Sequence, residues 1–124
     1  MKATELMIGD WVYNSHNRKN ERVEEIGSGL VMLDYNDLYE YDEIEPIPLT
    51  AEILERNGFK RSGTNYIMAD DYYDIVVHEI SDSIWDLQYT NCEMPVGNQQ
   101  MCVCHVHQLQ HALRMCDEEI EIEL

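Results

Sequence analysis

The sixteen residues Met101–Cys116, MCVCHVHQLQHALRMC, hold three cysteines and three histidines. Thiolate sulfur and imidazole nitrogen are the ligands zinc takes, three or four converging at about 2.0–2.3 Å. Cys102 and Cys104 stand two apart, so on a strand they share a face. His107 and His111 are one helical turn apart, and Cys104 across a strand–helix junction would complete a three-ligand site. Against this stands packing. Leu109, Ala112, Leu113 and Cys116 fall at i, i+3, i+4 and i+7, the apolar stripe of a helix. Cys116 is then a small buried hydrophobe, and His107, His111 and Arg114 share the opposite face. Cys102 and Cys104 alternate with the same parity as Val106, a strand-packing pattern. The spacing follows no zinc pattern and no C-x-x-C pair stands elsewhere, so packing is the stronger reading. No metal or other cofactor is expected.

Other chemistry has less support. A Cys104–His107 nucleophile–base pair lacks an orienting residue and an oxyanion loop. His78 sits on a largely apolar strand, where a hydrogen-bonded core histidine is the commoner outcome. The glycines of Gly27–Ser28–Gly29 precede a β run, whereas a phosphate loop opens a helix. The sequence therefore points away from an enzyme.

The elements that must position these residues change character near Leu49. Residues 1–48 read as four or five short strands with glycine turns: GDWVY, ERVEEI, LVML and DLYEYDEIEPIP. That pattern predicts a small curled sheet or SH3-like barrel. Next comes a short helix over 50–57, with Thr50 as N-cap and Leu49 poised as a hydrophobic staple on Leu54. Gly58 suits the left-handed position after the helix, folding Phe59 back on Leu54. Residues 72–80 carry apolar side chains on both faces, as a central strand does. In 84–90, Trp85, Leu87 and Tyr89 alternate with Asp86, Gln88 and Thr90, one face dry and one wet. CEMPVGNQQ (92–100) reads as a loop, MCVCHV as a strand, and a helix follows from about His107. The tail EEIEIEL has the alternation of an exposed edge strand. The expected fold class is α+β: an SH3-like β unit (1–48), then an α+β unit (49–124) with a short helix, an antiparallel sheet and a C-terminal helix, the two tightly joined.

Composition limits the partners. The 124 residues include 25 Asp and Glu against 8 Lys and Arg, a formal charge of −17. Both halves share the excess. Such a field repels phosphate backbones and anionic lipid, which argues against direct binding to nucleic acid or membrane and favours a basic protein surface. MKATELMIGDWVY is interrupted by Glu5 and Asp10, and no apolar run approaches signal or membrane length. The expected setting is a reducing cytoplasm, with Cys92, Cys102, Cys104 and Cys116 as free thiols.

The acids concentrate in Asp34–Glu45, six in twelve residues, with tyrosines between them. Same-face residues of a strand stand about 6.6 Å apart, close to two base-pair rises, so such a surface could imitate a phosphate track. The simpler reading packs Leu38, Tyr39 and Tyr41 inward and leaves the acids in water. Candidate partner-binding residues are Asp37, Glu40, Tyr41, Asp42 and Glu43, with His107, His111 and Arg114 on the helix.

Three pieces, ELMIGDWVY, IEPIPLTAEILERNGFK and VHQLQHAL followed by EEIEI, resemble a group of small, functionally uncharacterised proteins encoded by phages, prophages and mobile elements of Bacteroidetes. They occur in the same order and touch both halves of the chain. The resemblance carries no catalytic residues. It implies a non-enzymatic accessory protein that binds a host macromolecule, a defence or nucleic-acid-binding protein among them. A small-ligand binder for a nucleotide signal is the alternative, and a metal-binding role for the histidines comes third. VHQLQ is the group's shared element, and the flanking cysteines are not part of it.

Overall fold

The computed structural model describes residues 1–34, 37–69, 73–82, 84–91, 99–116 and 120–124. The fold is α+β and mostly strand, and the described residues form ten strands in two antiparallel five-stranded sheets and two α-helices. The chain divides into two compact units: residues 1–47 with 105–107, and residues 48–104 with 108–124. The expected loop at 92–98, Cys92, Tyr35, and the acids Asp70, Asp71, Asp117, Glu118 and Glu119 lie outside the described residues.

The first unit is built from β1 (Trp11–Asn14), β2 (Lys19–Ile26), β3 (Leu30–Leu33), β4 (Asp37–Glu40) and β5 (Ile44–Glu45). A 3-10 turn, Tyr41–Glu43, separates the last two. The order across the sheet is β4-β3-β2-β1-β5. Its core is Leu6, Val12, Val23, Val31, Leu33 and Ile44, with Met1, Ile26, Tyr39 and Tyr41 packed against it. Strict alternation would put Glu25 on the same side as buried Val23. Instead Val23 pairs with Leu33 and Glu25 with Met32, so β2 carries one extra residue there. This bulge turns Glu25 outward and lets Ile26 return to the core opposite Val31.

Gly27 closes the β2–β3 turn, its N–H donating to the Leu30 carbonyl at 2.9 Å. A Cβ there would sit 2.8 Å from that same backbone oxygen, whereas at Gly29 it would meet nothing within 4 Å. Gly27→Ala should therefore cost about 1–3 kcal/mol by forcing the turn to move, and Gly29→Ala should be near neutral. Urea midpoints of the two variants check the contrast. Equal losses would mean that the close approach does not constrain the turn.

The second unit holds α1 (Ala51–Arg56), then β6 (Lys60–Ser62), β7 (Asn65–Ala69), β8 (Tyr73–Ser81), β9 (Ile84–Asn91) and β10 (Gln99–Cys102). Helix α2 (Val106–Met115) begins in the first unit and runs on in the second. The sheet order β10-β9-β8-β7-β6 makes β8 central, as its two-sided apolar pattern requires. Trp85, Leu87 and Tyr89 are buried while Gln88 and Thr90 are exposed. The Thr50 hydroxyl accepts from Ile53 N–H, capping α1. At the other end Phe59 N–H bonds to Leu54 O and Gly58 N–H to Glu55 O, a Schellman motif with Gly58 at φ +92°. The helical stripe Leu109, Ala112, Leu113 and Cys116 is buried.

Three expectations are corrected. Strand β10 begins at Gln99, inside the segment read as loop, and ends at Cys102. Cys102 is exposed because its cross-strand partner is Asp86 on the wet face. Met101, opposite buried Leu87, and Val103, bonded to Trp85 O, take the inward parity instead. Residues 120–124 of the tail do not form a strand: buried Ile122 is held by hydrogen bonds between Glu123 and the Asn57 side chain.

Candidate functional site

The acidic stretch of the first unit sorts into two roles. Asp37, Glu40 and Asp42 are exposed, on β4 and on the 3-10 turn. Glu43 and Tyr41 are half-buried and hold that turn in place. Glu43 accepts from Glu40 N–H through Oε2 at 3.0 Å, and its backbone oxygen accepts from Ser15 N–H and Oγ–H. The Tyr41 hydroxyl donates to Gly27 O at the β2–β3 turn and lies 3.3 Å from Leu30 O. Tyr39 also turns inward, its hydroxyl accepting from Asn17 Nδ2 at 2.7 Å.

Leu38 does not pack inward. It is 56% exposed, because β4 pairs Tyr39 with buried Val31 and Leu38 with Met32. Glu25, Met32 and Leu38 thus form one row across three strands on the outer face, with Leu30 opposite Glu40 in the next row. This face carries an open cleft of about 450 Å³, lined by Glu25, Leu30, Met32, Leu38 and the Gly27–Gly29 turn. Sequence reading missed Leu30, Met32 and Leu38. The run LVML does not declare which of its residues face out. The signal lay in parity, since Val31 and Leu33 cannot share a face with Leu30 and Met32.

Two cations of the first unit have partners of their own. Lys19 Nζ lies 3.8 Å from buried Glu21, and the Arg22 guanidinium stacks 5.0 Å from the Trp11 ring centre. Glu24, Glu25, Asp37, Glu40, Asp42 and Glu45 are all exposed, and among the described residues none of them pairs with a cation.

The helix residues are distributed differently from the expected common face. His107 is only 6% exposed and belongs to the first unit. Its ring stacks on that of half-buried His105, 5.8 Å between centres. Glu5 lies within its electrostatic reach. The Lys2 backbone N–H above all, with smaller contributions from His107 and neighbouring charges, holds the Glu5 carboxyl below its usual range. His111 is half-buried and Arg114 exposed, both in the second unit. His111 borders a cleft of about 340 Å³ with Met101, Cys102 and Met115.

Cys102 and Cys104 bring their sulfurs to 3.7 Å. The hydrogen bond with Cys104, then lost hydration and the nearby Cys104 and Asp86, push the Cys102 thiol up from its ordinary value. Among the described residues, no three His, Cys, Asp or Glu side chains form a group that could hold a metal ion. The set Cys104, His107 and His111 is accordingly not brought together as ligands. His78 is half-buried and hydrogen-bonded, its Nδ1 lying 2.7 Å from Oδ1 of its cross-strand neighbour Asn65 and 3.3 Å from Thr64 Oγ1.

A third cleft, about 360 Å³ in the second unit, is lined by Lys60, Arg61, Ser62, Ile67 and Met68 among others. No helix among the described residues is long and apolar enough to cross a membrane. Comparison of the chain with protein-family models, curated proteins and solved structures gives no match.

Proposed function

We propose that this chain is a non-enzymatic accessory protein of a phage or mobile element that binds a basic surface on a host protein. The observation that carries the reading is the set of six exposed carboxylates on the first unit with no cation beside them. Folding gains nothing from leaving like charges together on one small sheet, and a cationic partner relieves their repulsion. The mobile-element setting rests on the resemblance of the three sequence pieces. The first unit is read as SH3-like, supported by its four-strand meander, the 3-10 turn before β5 and the return of β5 to pair with β1.

The test is capture of host proteins by wild type and by the triple variant Asp37→Asn, Glu40→Gln, Asp42→Asn. A partner held electrostatically is lost from wild type at high salt and from the variant at low salt. Capture that ignores both salt and substitution would sink the proposal.

A second reading, a binder of a small anionic ligand such as a nucleotide signal, is favoured by one feature, the Lys60–Arg61 cleft. It predicts that a nucleotide panel raises the melting temperature of wild type but not of Lys60→Ala, Arg61→Ala. A flat panel removes it.

A further inference from the structure

The acids explain attraction to a cationic partner but leave the apolar outer face of β2–β4 unaccounted for. Leu30 is 41% exposed and Leu38 56%, with Met32 half-buried between them. Exposed leucines side by side on a wet sheet face cost solubility, and here they form the floor of the 450 Å³ cleft. Glu25 stands at one end of the Met32–Leu38 row and Glu40 opposite Leu30 in the next, so the apolar patch lies between two carboxylates. The bulge in β2 is what brings Glu25 to this face. Tyr41 fastens the adjoining turn by donating to Gly27 O, so the wall of the cleft is built before anything binds.

From this geometry we infer that the outer face of β2, β3 and β4 is a docking groove for an extended segment of a partner protein that alternates cationic and apolar residues. The segment lays its apolar side chains over Leu30, Met32 and Leu38 and places Lys or Arg against Glu25 and Glu40. Successive rows of the groove are two residues apart along the strands, about 6.7 Å, which is also the repeat of one face of an extended peptide.

Charge selects this occupant over the others. Among the described residues, the cleft lining contains no Lys, Arg or His and does contain Glu25, so a phosphate-bearing ligand is repelled. A second copy would bring the same carboxylates against these, which disfavours self-association through this face. The inference rests on the reading of the acidic surface as a partner site, and it adds that apolar contact contributes to the affinity.

Two synthetic peptides of equal length and charge separate the contributions, one alternating lysine with leucine and one alternating lysine with serine. Fluorescence anisotropy measures binding of each. Wild type should bind the lysine–leucine peptide at least about tenfold more tightly than the lysine–serine peptide. Met32→Ser with Leu38→Ser should remove that preference, bringing the two peptides to equal affinity. Leu38→Lys, a single change at an exposed position, should weaken both peptides, and melting temperatures verify that each variant folds. Glu25→Gln with Glu40→Gln should weaken both peptides and flatten their salt dependence. Equal affinity for the two peptides, or a preference that survives the serine substitutions, would overturn the groove while leaving the general acidic reading in place. Absence of binding to either peptide overturns the groove as well, and the capture experiment then judges the broader reading separately.

Discussion

Trp85→Ala should lower the stability of the second unit by about 3–5 kcal/mol, and Trp85→Phe by about 1–3 kcal/mol. The indole is 3% exposed and meets the Tyr66 ring edge-on, 5.5 Å between centres. Its Nε1–H donates to the Leu49 carbonyl at 3.0 Å, in a buried bond just ahead of α1. The Trp85 backbone carbonyl accepts from Val103 N–H at 2.9 Å, beyond the end of β10. One residue therefore joins the entry to α1, the sheet and the approach to α2. Alanine removes the ring volume and strands the Leu49 carbonyl together, whereas phenylalanine keeps most of the volume and loses only the donor. Against a total of about 5–15 kcal/mol the alanine variant has little margin left. Far-UV circular dichroism in a urea titration measures the loss. Trp11 remains as a fluorescent reporter of the first unit in both variants. A loss below about 1 kcal/mol for the alanine variant would mean that the indole does not hold these segments together.

Features whose causes lie within a few residues were legible. Helix α1 carries its whole specification between Leu49 and Phe59: a hydroxyl at the N-cap, a glycine at the left-handed exit and apolar residues to close both ends. The strand Ile84–Asn91 is equally local, because Trp85, Leu87 and Tyr89 alternate without interruption. The acids of the candidate site were legible for a similar reason, since Asp37, Glu40 and Asp42 have nowhere to go but water.

What failed depended on pairing partners far away in sequence. Cys102 faces out because Asp86 stands opposite it, and nothing within MCVCHV states that register. Glu25 faces out because β2 contains a bulge against β3, and a bulge moves every later residue to the other face. The apolar floor of the groove follows from the same register. His107 shows a different limit. A helical wheel places it with His111 and Arg114, but burial depends on what lies over each turn. The first turn of α2 belongs to the first unit, whereas His111 and Arg114 belong to the second. A common face on the helix therefore did not become a common surface.

The tail supplies the second large effect. Asn57→Ala should cost about 2–3 kcal/mol and release residues 120–124. Asn57 closes α1, and its side chain brackets the tail from both sides. Nδ2–H donates to Glu123 O and to Ile53 O, each at 2.8 Å, while Oδ1 accepts from Glu123 N–H at 2.7 Å. The bracket fixes the amide orientation, because one Glu123 group needs a donor and the other an acceptor. Three bonds at a net of about 1 kcal/mol each give the magnitude, and Ile122, 1% exposed, depends on the same anchorage. Asn57 lies at φ −98°, so alanine brings neither relief nor strain of its own. Asn57→Asp is the sharper variant. It keeps an acceptor for Glu123 N–H but loses both donors, and it adds a negative charge at the C-terminal end of α1, where the helix dipole opposes it. Aspartate should therefore fare no better than alanine despite its shape. Hydrogen exchange at the Glu123 amide reads the bracket directly: protection should vanish in the alanine variant and fall in the aspartate variant. An unchanged melting temperature with Glu123 still protected would mean that Ile122 burial alone holds the tail.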